Sequence, residues 1–187
     1  KAGIKFLVNQ GFTEIILIGH STGANKVCYY SATQKNDHVA GIVLAGPMSD
    51  RLEIGLDIKK RKKVLTHMHR LVNQGKGDAL LLDYHYFPIT PRRFLSLFEP
   101  GSTEDTFDYG DKKPKLMYFS KIRLPLFVVF AGNDEYADRP MQEIQNIFDK
   151  NVTSKHYKSI IVPGALHKFN GKEKRFVQDV VTWIKTL

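Results

Sequence analysis

A serine sits between two glycines in Gly19-His20-Ser21-Thr22-Gly23, after the apolar run Ile15-Ile16-Leu17-Ile18 and before a stretch without proline. A serine hydroxyl is a weak nucleophile until a neighbouring base takes its proton. A tight turn between a strand and a helix can hold such a serine with its oxygen exposed above a sheet, the arrangement called a nucleophile elbow. Ser21 is the candidate nucleophile, and Gly19 and Gly23 are read as relieving collisions across the turn. His20 is read as part of the elbow rather than as a base.

The nucleophile needs a base and an acid to orient that base. Leu126-Phe127-Val128-Val129-Phe130 reads as a strand and is followed by Ala131-Gly132-Asn133-Asp134-Glu135. Ser159-Ile160-Ile161-Val162 reads as another and is followed by Pro163-Gly164-Ala165-Leu166-His167. An acid and a histidine therefore stand in turns at the carboxyl ends of strands, where catalytic groups of open α/β sheets gather. Asp134 is preferred to its neighbour Glu135 as the acid, because adjacent turn residues point in different directions. A capping role for Asp134 at a helix starting near Pro140 fits less well, since Asp138 lies closer to that start. His38, His67, His69, His85 and His156 lack the setting of His167.

These groups require elements to carry them. Helical spacing of Ala24, Val27, Cys28 and Ser31 predicts a helix from Ala24 to about Thr33, and Val39 to Ala45 predicts a second strand beside the first. Four consecutive apolar residues at 15–18 describe a strand buried on both faces. Only one obvious partner strand is supplied, so its other edge is expected to be open. The segment 48–123 is expected to be a helical cap or lid inserted between core strands of a single domain, 1–187. Val64, Leu65, Met68, Leu71 and Val72 predict a helix within it. Tyr84-His85-Tyr86-Phe87 and Pro91-Arg92-Arg93-Phe94 would either line a substrate pocket or simply pack beneath a long connection.

The order G-H-S-T-G, A-G-P-M-S-D-R at 45–51, F-A-G-N-D-E-Y at 130–136 and P-G-A-L-H at 163–167 resembles the α/β-hydrolase superfamily over nearly the whole chain. Within it, S-D-R, S-L-F at 96–98, E-D-T-F at 104–107 and D-E-Y resemble a branch that includes fungal siderophore esterases. The resemblance implies an α/β fold with a mostly parallel sheet and flanking helices. It implies Ser21 as nucleophile, His167 as base, Asp134 as acid and the Thr22 N–H as one oxyanion donor. It also implies that more chain normally precedes the elbow serine, so the sequence reads as truncated at its amino-terminal strands. Association with a missing segment, or through the open sheet edge, is the corresponding expectation.

Composition narrows the remaining classes. The 187 residues are 42% hydrophobic with a formal charge of +9. Basic residues cluster only at Lys59-Lys60-Arg61-Lys62-Lys63, which reads as the solvated start of a helix, and no recognition motif for nucleic acid accompanies it. The lone Cys28 offers no disulfide framework and reads as a small core residue, with the cytoplasm as the mild preference. No run reaches the length of a membrane span. There is no glycine-rich phosphate cradle and no metal-ligand spacing, so neither cofactor nor metal is expected. The expected function is hydrolysis of a small-molecule ester or amide through an acyl-enzyme. The alternatives are a non-catalytic module or inactive fragment of the same fold and, further off, an anion or nucleic-acid binder.

Overall fold

Four apolar runs pair in parallel into one sheet: β1 (Ile15–His20), β2 (Val39–Ala45), β3 (Leu126–Ala131) and β4 (Tyr157–Val162), side by side in chain order. The computed structural model describes residues 1–35, 37–53 and 58–187. Between and around the strands lie α1 (Ala2–Asn9), α2 (Thr22–Thr33), α3 (Asp50–Glu53), α4 (Ile58–Asn73), α5 (Pro91–Phe98), α6 (Met141–Asn151) and α7 (Glu173–Ile184).

The two central strands are apolar at every position facing either layer, and strand alternation sorts them into two cores. Ile42, Leu44, Leu126, Val128 and Phe130 face one side, against Ala24 and Cys28 of α2 and Ile144 and Phe148 of α6. Val43, Ala45, Phe127 and Val129 face the other, against Val180 and Trp183 of α7. The Phe127 and Trp183 rings stack 5.5 Å apart. Cys28 is fully buried, and burial pushes its thiol far up, consistent with a packing role.

Strand β1 differs from the expectation of burial on both faces. Among the described residues it pairs only with β2, and Ile18 is 51% exposed. Its apolar side chains continue into a groove with Ile4 and Leu7 of α1 and Val27 and Tyr30 of α2. The expected cap of the helix near Pro140 also needs correction. Pro140 itself occupies the N-cap of α6 with no side-chain cap bond, and Asp138 instead pairs with the guanidinium of Arg139, at 2.6 and 2.9 Å.

Residues 46–125 join β2 to β3 and carry α3, α4 and α5. Part of the expected cap, residues 54–57, lies outside the described residues. Helices α4 and α5 pack on each other through Met68, Phe94, Leu97 and Phe98, a small core separate from the two against the sheet. The five basic residues at 59–63 fall in the first turns of α4, and the four lysines among them are exposed.

The S-D-R triplet ties the start of the segment to its later part and to α2. The Ser49 N–H donates to the Tyr109 hydroxyl at 3.0 Å, and Asn25 of α2 donates to Asp50 at 2.9 Å. Arg51 donates to Asp105 at 2.7 Å and to Asp111 at 3.0 Å. The Arg51 and Asp105 side chains are 6% and 5% exposed. Burial pushes the Asp105 carboxyl up, against the opposing pull of the Gly101 N–H and Arg51. Removing one member of a buried ion pair leaves the other charge uncompensated. Arg51→Ala should therefore destabilise the fold by about 3–5 kcal/mol in urea unfolding. A loss within the range of an exposed pair, under about 1 kcal/mol, would show that the bond is structurally idle.

Candidate functional site

Because all four strands are parallel, their carboxyl ends lie on one side of the sheet, and the turns after β1, β2, β3 and β4 meet there. The turn after β1 holds Ser21 at φ 57° and ψ −129°, a backbone conformation that L-residues avoid. The Ser21 N–H donates to Ala45 O, and Ser21 O accepts from the Ala24 N–H, pinning the bend on both sides. A Cβ on Gly19 would lie 2.3 Å from Gly23 O, so only glycine allows the strand and helix backbones to approach this closely. At Gly23 the expected steric need is absent, since a Cβ there meets nothing within 4 Å. The crowding across the turn falls on one of the two glycines because α2 turns its second residue outward.

Thr22 opens α2, where main-chain N–H groups lack partners within the helix and the helix dipole is positive. Ser21, Thr22, His20 and His167 line one cleft of about 330 Å³, together with Asp50 and Tyr136. A smaller space of about 230 Å³ shares Thr22, Asp50 and Tyr86 with it and is walled by His85, Phe87 and Phe98. Of the aromatic and basic segments singled out in the sequence, His85, Tyr86, Phe87 and Arg93 reach this space, whereas Tyr84 and Phe94 belong to the core between α4 and α5.

The turns after β3 and β4 are laced together residue by residue. The Gly132 N–H donates to Val162 O and the Asn133 N–H to Ala165 O. A Cβ on Gly132 would stand 2.9 Å from Val162 O, which explains the glycine. Next along, His167 Nδ1 donates to Asp134 Oδ2 at 2.8 Å. The Asp134 side chain is 0% and the His167 side chain 6% exposed. The second carboxylate oxygen of Asp134 accepts from the Tyr136 N–H at 3.0 Å, so this buried charge has two donors. With Nδ1–H engaged by the carboxylate, the neutral ring keeps Nε2 as its free lone pair.

The structure thus brings Asp134 and His167 into contact, and places His167 and Ser21 on one cleft. Glu135, the rival acid, is exposed and turns its carboxylate to the His167 N–H at 2.8 Å. That bond holds its carboxyl below the usual range. His20 donates from Nε2 to His167 O at 2.8 Å. Sequence reasoning missed the contribution of Gly46. It has φ 53°, and a Cβ there would meet the His167 ring at 3.4 Å. Its position directly after β2 was the available signal. Among the described residues, no group of three or more His, Cys, Asp or Glu side chains is placed to hold a metal ion. No helix among them is long and apolar enough to cross a membrane.

The contrast between the two elbow glycines is measurable. Gly19→Ala should destabilise by about 2 kcal/mol or more, because backbone atoms must move. Gly23→Ala should be neutral or stabilise by up to about 1 kcal/mol, as alanine favours helix and space is open. Equal losses in urea unfolding would contradict the turn as described.

Solved structures of similar fold include a monoacylglycerol lipase from Paleococcus ferrophilus, with a TM-score of 0.61 and 16% identity, covering 96% of this chain and 71% of that one. A thermostable carboxyl esterase from Bacillus coagulans matches with a TM-score of 0.59 and 16% identity, over 99% and 69% of the two chains. The α/β hydrolase GrgF from Penicillium sp. sh18 matches with a TM-score of 0.63 and 14% identity, over 94% and 64%. At such identities the likeness is one of fold, and the fold is that of the α/β hydrolases. No curated protein matches the sequence significantly. Residues 1–185 match the family described as protein of unknown function, DUF1749, and the chain belongs to that family.

Proposed function

We propose that the protein is a serine hydrolase acting on carboxylic esters or amides of small molecules, through an acyl-enzyme on Ser21. The observation that carries this reading is the buried His167–Asp134 hydrogen bond opening onto the cleft that also contains Ser21. A carboxylate that fixes one imidazole tautomer, beside a serine held in a strained turn, is what nucleophilic acyl transfer requires. The esterases and lipase among its structural relatives make the same reaction class the natural one for this fold.

In the proposed reaction, Nε2 of His167 takes the Ser21 hydroxyl proton as Oγ attacks the carbonyl carbon. The Thr22 N–H at the start of α2 donates to the oxyanion of the tetrahedral intermediate, a contribution of about 3 kcal/mol where such donors have been removed. Collapse breaks the bond to the leaving alcohol or amine, which receives the proton from His167. Water then repeats the sequence on the acyl-serine, with His167 again accepting and returning the proton. Asp134 stays ionised and stabilises the imidazolium in each half-reaction. The segment carrying α4 and α5 acts as the cap. It supplies the aromatic wall at Tyr86, Phe87 and Phe98, which suits a flat or branched acyl or alcohol group.

The test is labelling with a fluorophosphonate, read by intact mass and peptide mapping. A stoichiometric adduct on Ser21 is expected, with Ser21→Ala and His167→Ala unlabelled. Ester turnover should fall by about 10⁴-fold in Asp134→Asn, where the wrong tautomer is favoured. Glu135→Gln should be much milder, and the reverse order would make Glu135 the orienting acid. An adduct elsewhere, or turnover that survives Ser21→Ala, would overturn the proposal.

A further inference from the structure

The main chain of His167 is gripped from both sides by side chains that have no part in the acyl-transfer steps. Its N–H donates to the Glu135 carboxylate at 2.8 Å. Its carbonyl accepts from His20 Nε2 at 2.8 Å. The side chain is held separately, by Asp134 at Nδ1. Four groups close around the ring: the His20 ring at 5.1 Å, the Tyr136 ring edge-on at 4.8 Å, Asp134, and the backbone of Gly46, where a Cβ would lie 3.4 Å away. His167 sits in a loop just after Gly164 at φ 68°, a part of the chain with no helix or strand of its own to fix it.

We propose that Glu135 and His20 are positioning residues that clamp the His167 backbone, so that its imidazole keeps one position over the cleft while protonated and while neutral. The inference rests on the reading of His167 as the general base. Two features of the chain give it weight beyond the distances. Glu135 is exposed, so its carboxylate could be solvated freely, yet it turns back to an N–H in the neighbouring loop. His20 comes from the β1 turn, one residue before Ser21, so its bond ties the base loop directly to the nucleophile turn. The nucleophile turn and the base loop are therefore joined by one side-chain bond in addition to the pairing of the strands. A displacement of about 1 Å between reacting groups can cost about 100-fold in rate.

One member of the clamp is also charged. Glu135 adds a negative charge beside the ring, in addition to Asp134, while Lys168 follows in the chain and Asp50 lies across the cleft. The N–H bond keeps the Glu135 carboxyl below its usual range, so it stays ionised wherever an imidazole base operates.

The experiment is the pH dependence of the second-order rate of fluorophosphonate labelling, with melting curves for each variant. Glu135→Ala and His20→Phe, which remove the two grips, should lower the plateau rate by about 10- to 100-fold. Glu135→Gln keeps an acceptor and His20→Gln keeps a donor, and both should stay within about 3-fold of wild type. A purely structural role would lower melting temperature while leaving the plateau rate of the folded alanine and phenylalanine variants within about 3-fold of wild type, and that result would overturn the clamp. If the alanine or phenylalanine variants fail to fold, a glutamine variant that folds yet labels more than about 10-fold slower than wild type overturns it alone. Wild-type labelling separates the two levels: variants that all react like a reactive wild type refute the clamp only. A wild type unreactive at every pH refutes the base assignment and the clamp together.

Discussion

A carboxylate with none of its side-chain surface exposed sits at the top of this sheet, and its need for donors organises everything around it. An ionised group removed from water is tolerated only when its lone pairs are engaged. Asp134 obtains one donor from the Tyr136 N–H two residues on and the other from His167. The second donor is 33 residues away in sequence and reaches Asp134 because β3 and β4 pair in parallel, with Ala131 beside Val162 at their ends. The hydrogen bonds that continue past this last pair, through Gly132 and Asn133, extend the register of the sheet into the two loops. The position of the imidazole is thus a consequence of strand pairing, carried a few residues beyond the strands themselves.

The connecting segment between β2 and β3 obeys a second polar constraint. Helices α4 and α5 have an apolar core of their own, while Phe107, Tyr109, Leu116 and Phe119 of the same segment join the core against the sheet. Buried Arg51 of α3 joins the start of the segment to its later part, because its guanidinium meets Asp105 and Asp111. Several donors in one rigid plane let a single arginine meet two carboxylates in this way. Asp50 joins the same triplet to α2 through Asn25, one turn along from Ser21. The wall of the cleft formed by Tyr86 and Phe98 is accordingly referenced to the helix that begins at the serine turn.

Strands β2, β3 and β4 and the turn residues that follow them were legible because unbroken apolar runs, ended by glycine, describe buried parallel strands well. The pairing of Asp134 with His167 followed from their place after two such strands. What escaped sequence reading depended on contacts between distant backbones. Gly23 resembles Gly19 in the motif, yet the crowding is one-sided, and this depends on how α2 leaves the turn. Gly46 has no motif of its own, and its closeness to an imidazole 121 positions along is a property of the assembled turns. Ile18 reads as a buried residue from its apolar neighbours, whereas its exposure depends on which strand lies beside β1.

Asp134 and Glu135 show why adjacent acids of one charge and nearly one length come to do different things. The first is turned inward, engages a titratable ring and loses its water. The second is turned outward, engages a main-chain N–H and keeps its water. Had the two exchanged directions, the longer glutamate would meet the ring from further away, with an added rotatable bond to order. The inward position therefore favours the shorter, stiffer acid, because a fixed tautomer is only as useful as the ring is still. The outward position tolerates the longer one, which must span the gap between loops to reach the His167 backbone. The two directions are thus set by reach and solvation, and the peptide bond between the two residues is enough to send one acid to the His167 ring and the other to the His167 main chain.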